Sequence, residues 1–307
     1  MEKKRLILVT HGGLSHADEV LAISIVLSKE WNNYSGITIL RTGCNIPQDY
    51  RDNRQNEIWV IDCGLLYEPK NHRFDHHDKE YTSDCSFSQI AKYYSLDEVF
   101  SKYLPWYNRV IISDNLGFAF WFKSQKEKIR TDTAQALTNP FEGYIKNIFG
   151  DTIIFESDGK HANDVLIFKG FGDYIISTAF NRKEDNSILE KKFKVYDKVG
   201  YINSSGRVIT TLTYYGKQKK VEVILTTSNS GREENKGCIG VLSTNSSRIN
   251  LNNIDFSSLG KVNYIHKQGQ YAVIDPETAL TDTLLENLAK ILNEQINNIL
   301  SKKKPSK

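Results

Sequence analysis

Short apolar runs alternate with longer stretches of helical periodicity in the first part of the chain. Arg5–Thr10 is apolar and β-branched and stops at Gly12-Gly13, which predicts a buried strand. Residues 37–40 and 58–61 predict two more strands of the same kind. Because helical patterns separate these strands, the sequence predicts a parallel α/β sheet with crossover helices.

Helical periodicity begins near His16, with Ser15 as the predicted N-cap. It returns over residues 86–125, where Pro105 predicts an interruption between two or three helices. In parallel α/β sheets, functional side chains gather at the carboxyl ends of the strands and in the loops beyond them. The loops after the predicted strands are therefore the first place to look for chemistry.

The pattern changes near residue 193, where strand-like segments and turn-forming residues replace long helical stretches. Residues 208–212, 221–225 and 238–242 predict strands, and a last helix is predicted over 276–300. We therefore expect a smaller mixed α+β domain in this part. The predicted organisation is a first domain over 1–192, a second domain over 193–300 and a basic tail over 301–307.

Composition places the chain among ordinary globular proteins. It has 307 residues, of which 39% are hydrophobic and 25% charged, and its net charge of +3 neither requires nor excludes a polyanionic partner. The four cysteines form no CxxC pair, which favours a reducing compartment. No apolar run approaches the roughly 20 residues of a membrane span, and we see no cleavable signal. We expect a cytoplasmic protein without a membrane partner.

Histidines and aspartates are concentrated early in the chain. Five of the seven histidines lie within the first 77 residues. The residues of this group are His11, His16, His72, His76 and His77, interleaved or followed by Asp18, Asp62, Asp75 and Asp114. His11 and Asp62 each follow an apolar strand directly, so both are expected at the carboxyl edge of the sheet.

Imidazole nitrogens and carboxylate oxygens without thiolates suit a divalent ion such as manganese. A carboxylate can bridge two ions about 3.5–4 Å apart, and Asp62 is the natural bridge in this set. Two such ions activate a water and neutralise the charge that builds on phosphorus. The HExxH pattern of metalloproteases is absent. The group therefore predicts phosphate chemistry.

Most of these histidines and aspartates lie in four short sequence blocks, which follow one another in this order: HADE at 16–19, VIDCG at 60–64, RFDHH at 73–77 and SDN at 113–115. They resemble the four motifs of the DHH phosphoesterase superfamily, which includes single-strand exonucleases, oligoribonucleases, cyclic-dinucleotide phosphodiesterases and pyrophosphatases. The opening THGGLSHADE at 10–19 is closer to the Myg-type (melanocyte-proliferating-gene) branch, whose members resemble RNA exonucleases of 3′-to-5′ polarity. The resemblance is sharp over residues 9–78 and around Asp114.

The resemblance implies roles for eight residues. Six match metal ligands: His11 and His16 for one ion, Asp18 and His76 for the other, Asp62 as the bridge, and Asp114 from the fourth block. Asp75 would orient its neighbouring imidazole. His77 would face the phosphate and donate a hydrogen bond or a proton to it.

Other positions leave alternatives open or depart from the family pattern. Glu19 could be structural or functional, whereas His72 and His161 are interpreted as surface or loop residues. His266 and Lys267 are candidate substrate-binding residues of the C-terminal domain. The departures are Asp78 where glutamine is usual, Ile111 where aspartate is frequent, and Gln268-Gly269-Gln270-Tyr271 where a glycine-rich element is expected. Trp106, Phe118, Phe120, Trp121 and Phe122 are expected in the core rather than stacked on bases.

The sequence therefore predicts a manganese-dependent phosphodiesterase or exonuclease, with magnesium as the alternative metal. Two divalent ions would act on single-stranded RNA or short oligonucleotides, in a cleft between two α/β lobes. One alternative is the same centre acting on pyrophosphate, a cyclic dinucleotide or a phosphorylated metabolite. Another is a catalytically silent metal-binding protein of the same fold. The oligomeric state is left open.

Overall fold

A computed structural model gives the structure of the protein. It describes residues 3–13, 15–77, 84–116, 153–204, 211–228, 235 and 237–302. The chain divides into two compact units, residues 1–180 and 181–307. The expectations for Asp78 and for the aromatic residues at 118 and 120–122 fall outside the described residues.

The N-terminal unit contains a six-stranded sheet with the strand order β4-β5-β3-β1-β2-β6. Its strands are β1 (Arg5–Thr10), β2 (Gly36–Arg41), β3 (Asn56–Ile61), β4 (Tyr67–Glu68), β5 (Arg73–Phe74) and β6 (Ile154–Glu156). The four central strands are parallel, and the edge strands β4 and β6 pair antiparallel to their neighbours. The predicted parallel α/β sheet with crossover helices is confirmed, with antiparallel edges added.

Helices cover this sheet. They are α1 (Ala17–Glu30), α2 (Gln48–Asp52), α3 (Ser86–Tyr93), α4 (Asp97–Tyr103), α5 (Tyr107–Leu116) and α6 (Ala162–Lys192). Strand β1 is fully buried from Leu6 to Val9, which explains its continuous apolar run. Pro105 lies between α4 and α5, as the sequence predicted.

Helix α1 is buried on nearly all sides because a second helix packs against it at backbone distance. Every residue from Asp18 to Leu27 is buried. At Gly172 of α6, an added Cβ would lie 2.0 Å from the backbone oxygen of Ser24. Only glycine allows this approach, so Gly172 fixes how α6 covers α1.

The C-terminal unit contains a second six-stranded sheet with the order β11-β12-β10-β9-β8-β7. Its elements are β7 (Lys194–Tyr196), β8 (Val199–Ile202), α7 (Leu212–Gln218), β9 (Val223–Thr227), β10 (Ile239–Ser243), β11 (Lys261–Ile265), β12 (Tyr271–Asp275) and α8 (Asp282–Lys302). Strands β8 and β9 are parallel, whereas the other neighbours are antiparallel. Helix α8 packs Leu285, Leu288 and Leu292 into the core beneath the sheet.

Three details of the sequence prediction need correction. Helix α1 begins at Ala17 and its N-cap is His16, not Ser15, because Ser15 Oγ accepts a hydrogen bond from Arg41 instead. Within the predicted strand 208–212, Leu212 is the first residue of helix α7, and it is buried beside Tyr215. The last helix begins at Asp282 rather than at residue 276.

The long helix α6 spans the division between the two units. The sequence placed a domain boundary at 192/193, where this helix ends, whereas the compact units divide at 180/181. The last turns of α6 pack with the C-terminal unit, since Leu189 is buried in a cluster with Ile202 and Leu212.

Candidate metal centre

The carboxyl ends of three neighbouring parallel strands meet at one edge of the N-terminal sheet. Strand β1 is followed by His11, β3 by Asp62, and β5 by Asp75 and His76. Because β1, β3 and β5 are adjacent in the sheet, their following residues emerge side by side. The topology therefore gathers side chains from distant parts of the sequence.

The first turn of α1 brings two more carboxylates to the same edge. Asp18 and Glu19 are both buried there, at 1% and 0% exposure. The backbone nitrogen of His16 donates to Glu19 Oε2 at 3.2 Å, which closes the start of the helix. Negative side chains are favoured at a helix N-terminus, but full burial of two adjacent ones requires a further source of positive charge.

His76 lies among three carboxylates. Its Nε2 is 2.9 Å from Asp114 Oδ2, 3.2 Å from Asp62 Oδ1 and 3.8 Å from Asp18 Oδ2. None of these contacts has the geometry of a hydrogen bond, and Nε2 is a buried atom without a hydrogen-bond partner. Such convergence without hydrogen bonds is the arrangement expected of ligands around a common point.

Asp62 stands between two imidazoles. Its Oδ1 faces His76, and its Oδ2 is 3.4 Å from His11 Nε2. The Nδ1 of His11 lies 2.8 Å from the backbone oxygen of Gly12. Since a carbonyl oxygen only accepts, Nδ1 carries the hydrogen and Nε2 is directed to the centre. One carboxylate that faces two such groups is suited to bridging.

Three sets of side chains place a ligand atom each within 4.8 Å of one another: His11, His16 and Asp62; Asp62, His76 and His77; and His16, Asp18 and Asp114. Asp62 and His16 each belong to two sets. The structure thus brings together all six residues predicted as metal ligands. Their ligand role remains a prediction.

Several buried donor atoms of this group have no hydrogen-bond partner, and they test whether a cation fits. The buried atoms without a hydrogen-bond partner include His11 Nε2, both Oδ atoms of Asp18, Asp62 Oδ2, His76 Nε2 and Asp114 Oδ2. Leaving a buried polar atom unsatisfied costs about 1–3 kcal/mol, so a concentration of such atoms is expensive without a ligand. Nitrogen and carboxylate donors without thiolates match divalent ions such as manganese.

The pKa values of the group reflect the concentration of negative charge on its carboxylates. Burial, followed by the negative charges of Asp62 and Asp114, raises the pKa of Asp18 well above its ordinary value. Contacts with Asp62 and then Glu19 raise the pKa of His11 to about 11. Burial acts to lower the pKa of His76, but Asp114 and Asp62 outweigh it and raise that pKa to about 10. In the metal-free protein, protons on these imidazoles therefore balance part of the negative charge of the carboxylates.

The backbone at Asp62 adopts an unusual conformation. Its φ of 58° is in the left-handed region, where a residue other than glycine is disfavoured. The backbone nitrogen of Asp62 donates to the oxygen of Phe74 at 2.9 Å, and Ser86 Oγ donates to Asp62 Oδ1 at 3.0 Å. Burial would raise the pKa of Asp62, but contacts with His11, His76 and Ser86 lower it, so the carboxylate stays ionised.

Asp75 holds His77 rather than His76. Its Oδ1 is 2.6 Å from His77 Nδ1 and accepts from the backbone nitrogen of His77 at 3.0 Å. The other oxygen accepts from the backbone nitrogen of Leu65 at 2.6 Å. The side chain of His77 is 48% exposed, so its ring lies at the mouth of the group. The neighbouring imidazole that Asp75 orients is therefore the one predicted to face the substrate.

Sequence reasoning missed two residues of this region, Ser86 and Arg41. Ser86 starts helix α3 and reaches Asp62 only through tertiary packing, so no local pattern indicates it. Arg41 ends strand β2 and lies almost buried beside Glu19. The strand-end rule that identified His11 and Asp62 would also have identified Arg41.

The other candidate residues lie away from the metal ligands or in the second unit. His72 stacks on Trp59 with ring centroids 4.1 Å apart, and His161 Nδ1 lies 2.9 Å from an Asp164 oxygen. In the C-terminal unit, His266 and Lys267 occupy the turn between β11 and β12. His266 is half-buried and Lys267 is exposed.

Within the described part of the chain, no helix is both long and apolar enough to cross a membrane.

Trp106 packs against the core, stacked with Phe87 at 5.9 Å between ring centroids. Its interpretation as a core residue is therefore confirmed.

Comparison with known proteins gives one family match. Residues 7–133 match the family MYG1_exonuc, described as "Uncharacterised protein family (UPF0160)". No curated protein matches the chain significantly. Among solved structures, a pGpG-specific phosphodiesterase, PggH from Vibrio cholerae, aligns over 96% of this chain and 99% of its own, with 13% identity and a TM-score of 0.29. That superposition is too loose to support a statement about function.

The matched segment contains all six predicted metal ligands and the Asp75–His77 pair. Together with the family's designation, this group supports a metal-dependent phosphoesterase. Over residues 7–133, the chain therefore matches the Myg1-type family that its sequence motifs resemble.

Proposed function

We propose that this protein is a manganese-dependent phosphodiesterase with exonuclease activity on single-stranded RNA or short oligonucleotides. The observation that carries this proposal is the set of buried, unpartnered imidazole and carboxylate atoms at the carboxyl edge of the N-terminal sheet. Two divalent ions, when bound, would lower the pKa of water and neutralise charge on a phosphoryl group. His11, His16, Asp18, Asp62, His76 and Asp114 are the residues that would hold them.

The residues around these ligands have distinct tasks in the proposed reaction. Asp62 keeps its charge and faces both imidazoles, so it is the side chain that two ions would share. Asp75 fixes the Nδ1 side of His77, which leaves Nε2 to face a phosphate oxygen; the doubly protonated ring would donate a hydrogen from Nε2 to that oxygen. The partial exposure of His77 gives a substrate access to that atom.

The C-terminal unit supplies the proposed substrate contacts. Lys267 is exposed and His266 is half-buried in the β11–β12 turn, where Gly269 has a φ of 64°. The backbone nitrogen of Gly269 donates to His266 O at 2.7 Å, so the turn presents both side chains from a defined backbone. A cation and an imidazole are suitable partners for a nucleotide phosphate or base. We also propose a cytoplasmic location, on the sequence grounds given above.

One assay tests this proposal. Purified protein with Mn²⁺ is given single-stranded RNA oligonucleotides of graded length, labelled at either the 3′ or the 5′ end, alongside pyrophosphate and a cyclic dinucleotide. We expect stepwise shortening of the oligonucleotides from the 3′ end. Faster turnover of pyrophosphate or the cyclic dinucleotide would instead identify a small-molecule phosphoesterase. Bound metal without hydrolysis of any substrate would identify a silent binding protein.

A further inference from the structure

The loop that joins β1 to α1 carries two of the predicted metal ligands, His11 and His16. A side chain from another strand holds the described residues of this loop. Arg41, the last residue of β2, donates from one terminal nitrogen to the backbone oxygen of Gly13 at 2.5 Å and to Ser15 Oγ at 3.0 Å. These two contacts hold Gly13 and Ser15, which lie between the two histidines.

Arg41 is only 4% exposed, so its charge requires a buried counter-charge. Glu19 supplies one: its Oε1 lies 3.8 Å from Arg41 Nε, and its side chain is fully buried. A buried ion pair is seldom retained for stability alone, because desolvation offsets most of its attraction. The pair is therefore a candidate for a geometric role.

Glu19 also contacts both histidines of the loop. Its Oε2 lies 2.5 Å from His11 Nε2 and accepts from the backbone nitrogen of His16 at 3.2 Å. One carboxylate thus touches the start of the loop, the end of the loop and the arginine that holds its middle. The sequence left open whether Glu19 is structural or functional.

We propose that Glu19 and Arg41 are positioning residues that hold the His11–His16 loop in the shape needed for its two imidazoles to share one cation. This inference rests on the proposed metal centre. It adds that the side of the centre formed by His11 and His16 depends on the Glu19–Arg41 pair. The His76 side is held by other elements: Asn115, next to Asp114, donates to the backbone oxygen of Asp84 at 2.9 Å. Loss of the pair should therefore weaken the binding of one cation and leave the binding of the other unchanged.

Manganese binding to the full chain tests the inference without relying on activity. Equilibrium dialysis measures stoichiometry and affinity, and electron paramagnetic resonance of Mn²⁺ reports whether two ions are magnetically coupled. We expect two coupled ions in the native protein. In Glu19→Gln, we expect one ion to bind as before and the other to bind about 10–100-fold more weakly, as is typical when a residue that orients a ligand is changed. The coupled signal should disappear at Mn²⁺ concentrations that saturate the native protein.

A matched control is Glu222→Gln in the C-terminal unit. Glu222 is 7% exposed and its Oε1 lies 3.1 Å from Arg248 Nε, so the control also removes the charge of a buried glutamate beside an arginine. It should leave both ions and their coupling unchanged. Arg41→Lys keeps a charge but loses the flat guanidinium that contacts Gly13 and Ser15. If Arg41 acts by positioning the loop, this variant should also bind one Mn²⁺ ion more weakly.

If Glu19→Gln does not fold, the double variant Glu19→Gln/Arg41→Met removes both buried charges and gives the same readout in a neutral interior. Two ions bound with native affinity in either folded variant would overturn the inference. Native affinity in Arg41→Lys would also count against it, because charge alone would then suffice. If the native protein itself binds no Mn²⁺, the proposed metal centre fails first and the inference fails with it.

Discussion

The two units of the protein treat buried polar atoms differently. In the C-terminal unit they are paired: Ser243 Oγ donates to the oxygen of Ile249 at 2.7 Å, and Asn293 Oδ1 accepts from the nitrogen of Lys198 at 3.0 Å. In the N-terminal unit, several buried atoms of the predicted metal ligands have no hydrogen-bond partner, among them both Oδ atoms of Asp18 and the Oδ2 atoms of Asp62 and Asp114. Across all the residues that the structure describes, each buried side-chain atom without a hydrogen-bond partner belongs to the N-terminal unit.

This difference separates a scaffold from a binding site. Native proteins pair nearly all their buried polar groups, so an unpaired one calls for an explanation. When several unpaired imidazole and carboxylate atoms converge at one sheet edge, a single kind of ligand explains all of them. The experiments below act on one unit while using the other as the reference, and they are ordered from the largest expected effect to the smallest.

The largest effect is expected for Asp62→Asn. A neutral amide holds two cations poorly, so hydrolysis should fall by at least about 10³-fold, the upper range for losing one preorganised electrostatic group. The fold should survive, because asparagine tolerates the left-handed backbone and its oxygen can accept from Ser86. Turnover with Mn²⁺ and a circular dichroism spectrum measure the two outcomes.

The matched control for this variant is Asp197→Asn in the C-terminal unit. Asp197 has a φ of 49°, so the same substitution is made in the same backbone region, and its carboxylate accepts from Asn293 and Asn297. We expect native turnover in this control. Native manganese-dependent turnover in Asp62→Asn would contradict the assignment of Asp62 as the bridging ligand.

Metal removal should destabilise one unit only. A cation at 100 times its Kd adds about 2.7 kcal/mol to the unit that binds it, which corresponds to roughly 5–10 °C in Tm. All four tryptophans lie in residues 1–180, so tryptophan fluorescence follows the N-terminal unit alone.

We expect chelation to lower the fluorescence Tm and Mn²⁺ to restore it. A calorimetric transition of the C-terminal unit provides the internal reference and should not move. Equal shifts in both transitions, or no shift in either, would contradict the assignment of the unpaired atoms to a metal site.

Proton release should accompany metal binding. The pKa of His11 is raised to about 11 and that of His76 to about 10, so both imidazoles are protonated in the metal-free protein near pH 8. A cation binds the neutral ring and expels the proton, so at least two protons should leave per centre, one from each imidazole, and affinity should rise with pH up to those pKa values.

Calorimetric titration with Mn²⁺ in two buffers of different ionisation enthalpy measures the number of protons. The variant His266→Ala, in the C-terminal unit, should release the same number as the native protein. An affinity that does not change between pH 6 and 9 would show that these imidazoles are not ligands.

The smallest effect is expected in the C-terminal unit itself. Lys267→Ala should raise KM for oligonucleotides a few-fold and reduce the slope of log KM against log salt by about 1, as for the loss of one phosphate contact. Manganese binding should not change. Lys217→Ala, an exposed lysine of helix α7, is the control, and equal effects of the two variants would indicate a diffuse electrostatic contribution.

Sequence reasoning located the strand ends well because an apolar run followed by a polar residue marks them directly. His11 and Asp62 were identified in this way, and the order of the strands then brought them together. The start of α1 was misplaced by one residue because the hydroxyl of Ser15 is engaged by Arg41 from another strand. Local capping rules do not include such a competitor.

The tertiary contacts of Ser86 and Arg41 were beyond sequence reasoning, although the strand-end rule would have singled out Arg41 itself. Ser86 is 24 positions from Asp62 in the chain, and Arg41 is 28 positions from Gly13. Leu212 was assigned to a strand for a related reason, since Thr210 and Thr211 before it favour a strand by composition. Leu212 nevertheless begins a helix, because its side chain is buried against Tyr215 and Ile224.

The left-handed backbone at Asp62 has a consequence for how damage to this protein would look in a cell. Chaperones and proteases recognise unfolded chains, and a change of stability is the usual route by which a substitution lowers abundance. A substitution to asparagine at this position suits the local backbone and would escape that surveillance. The inactive protein would accumulate at ordinary levels, so protein abundance alone would not reveal the loss.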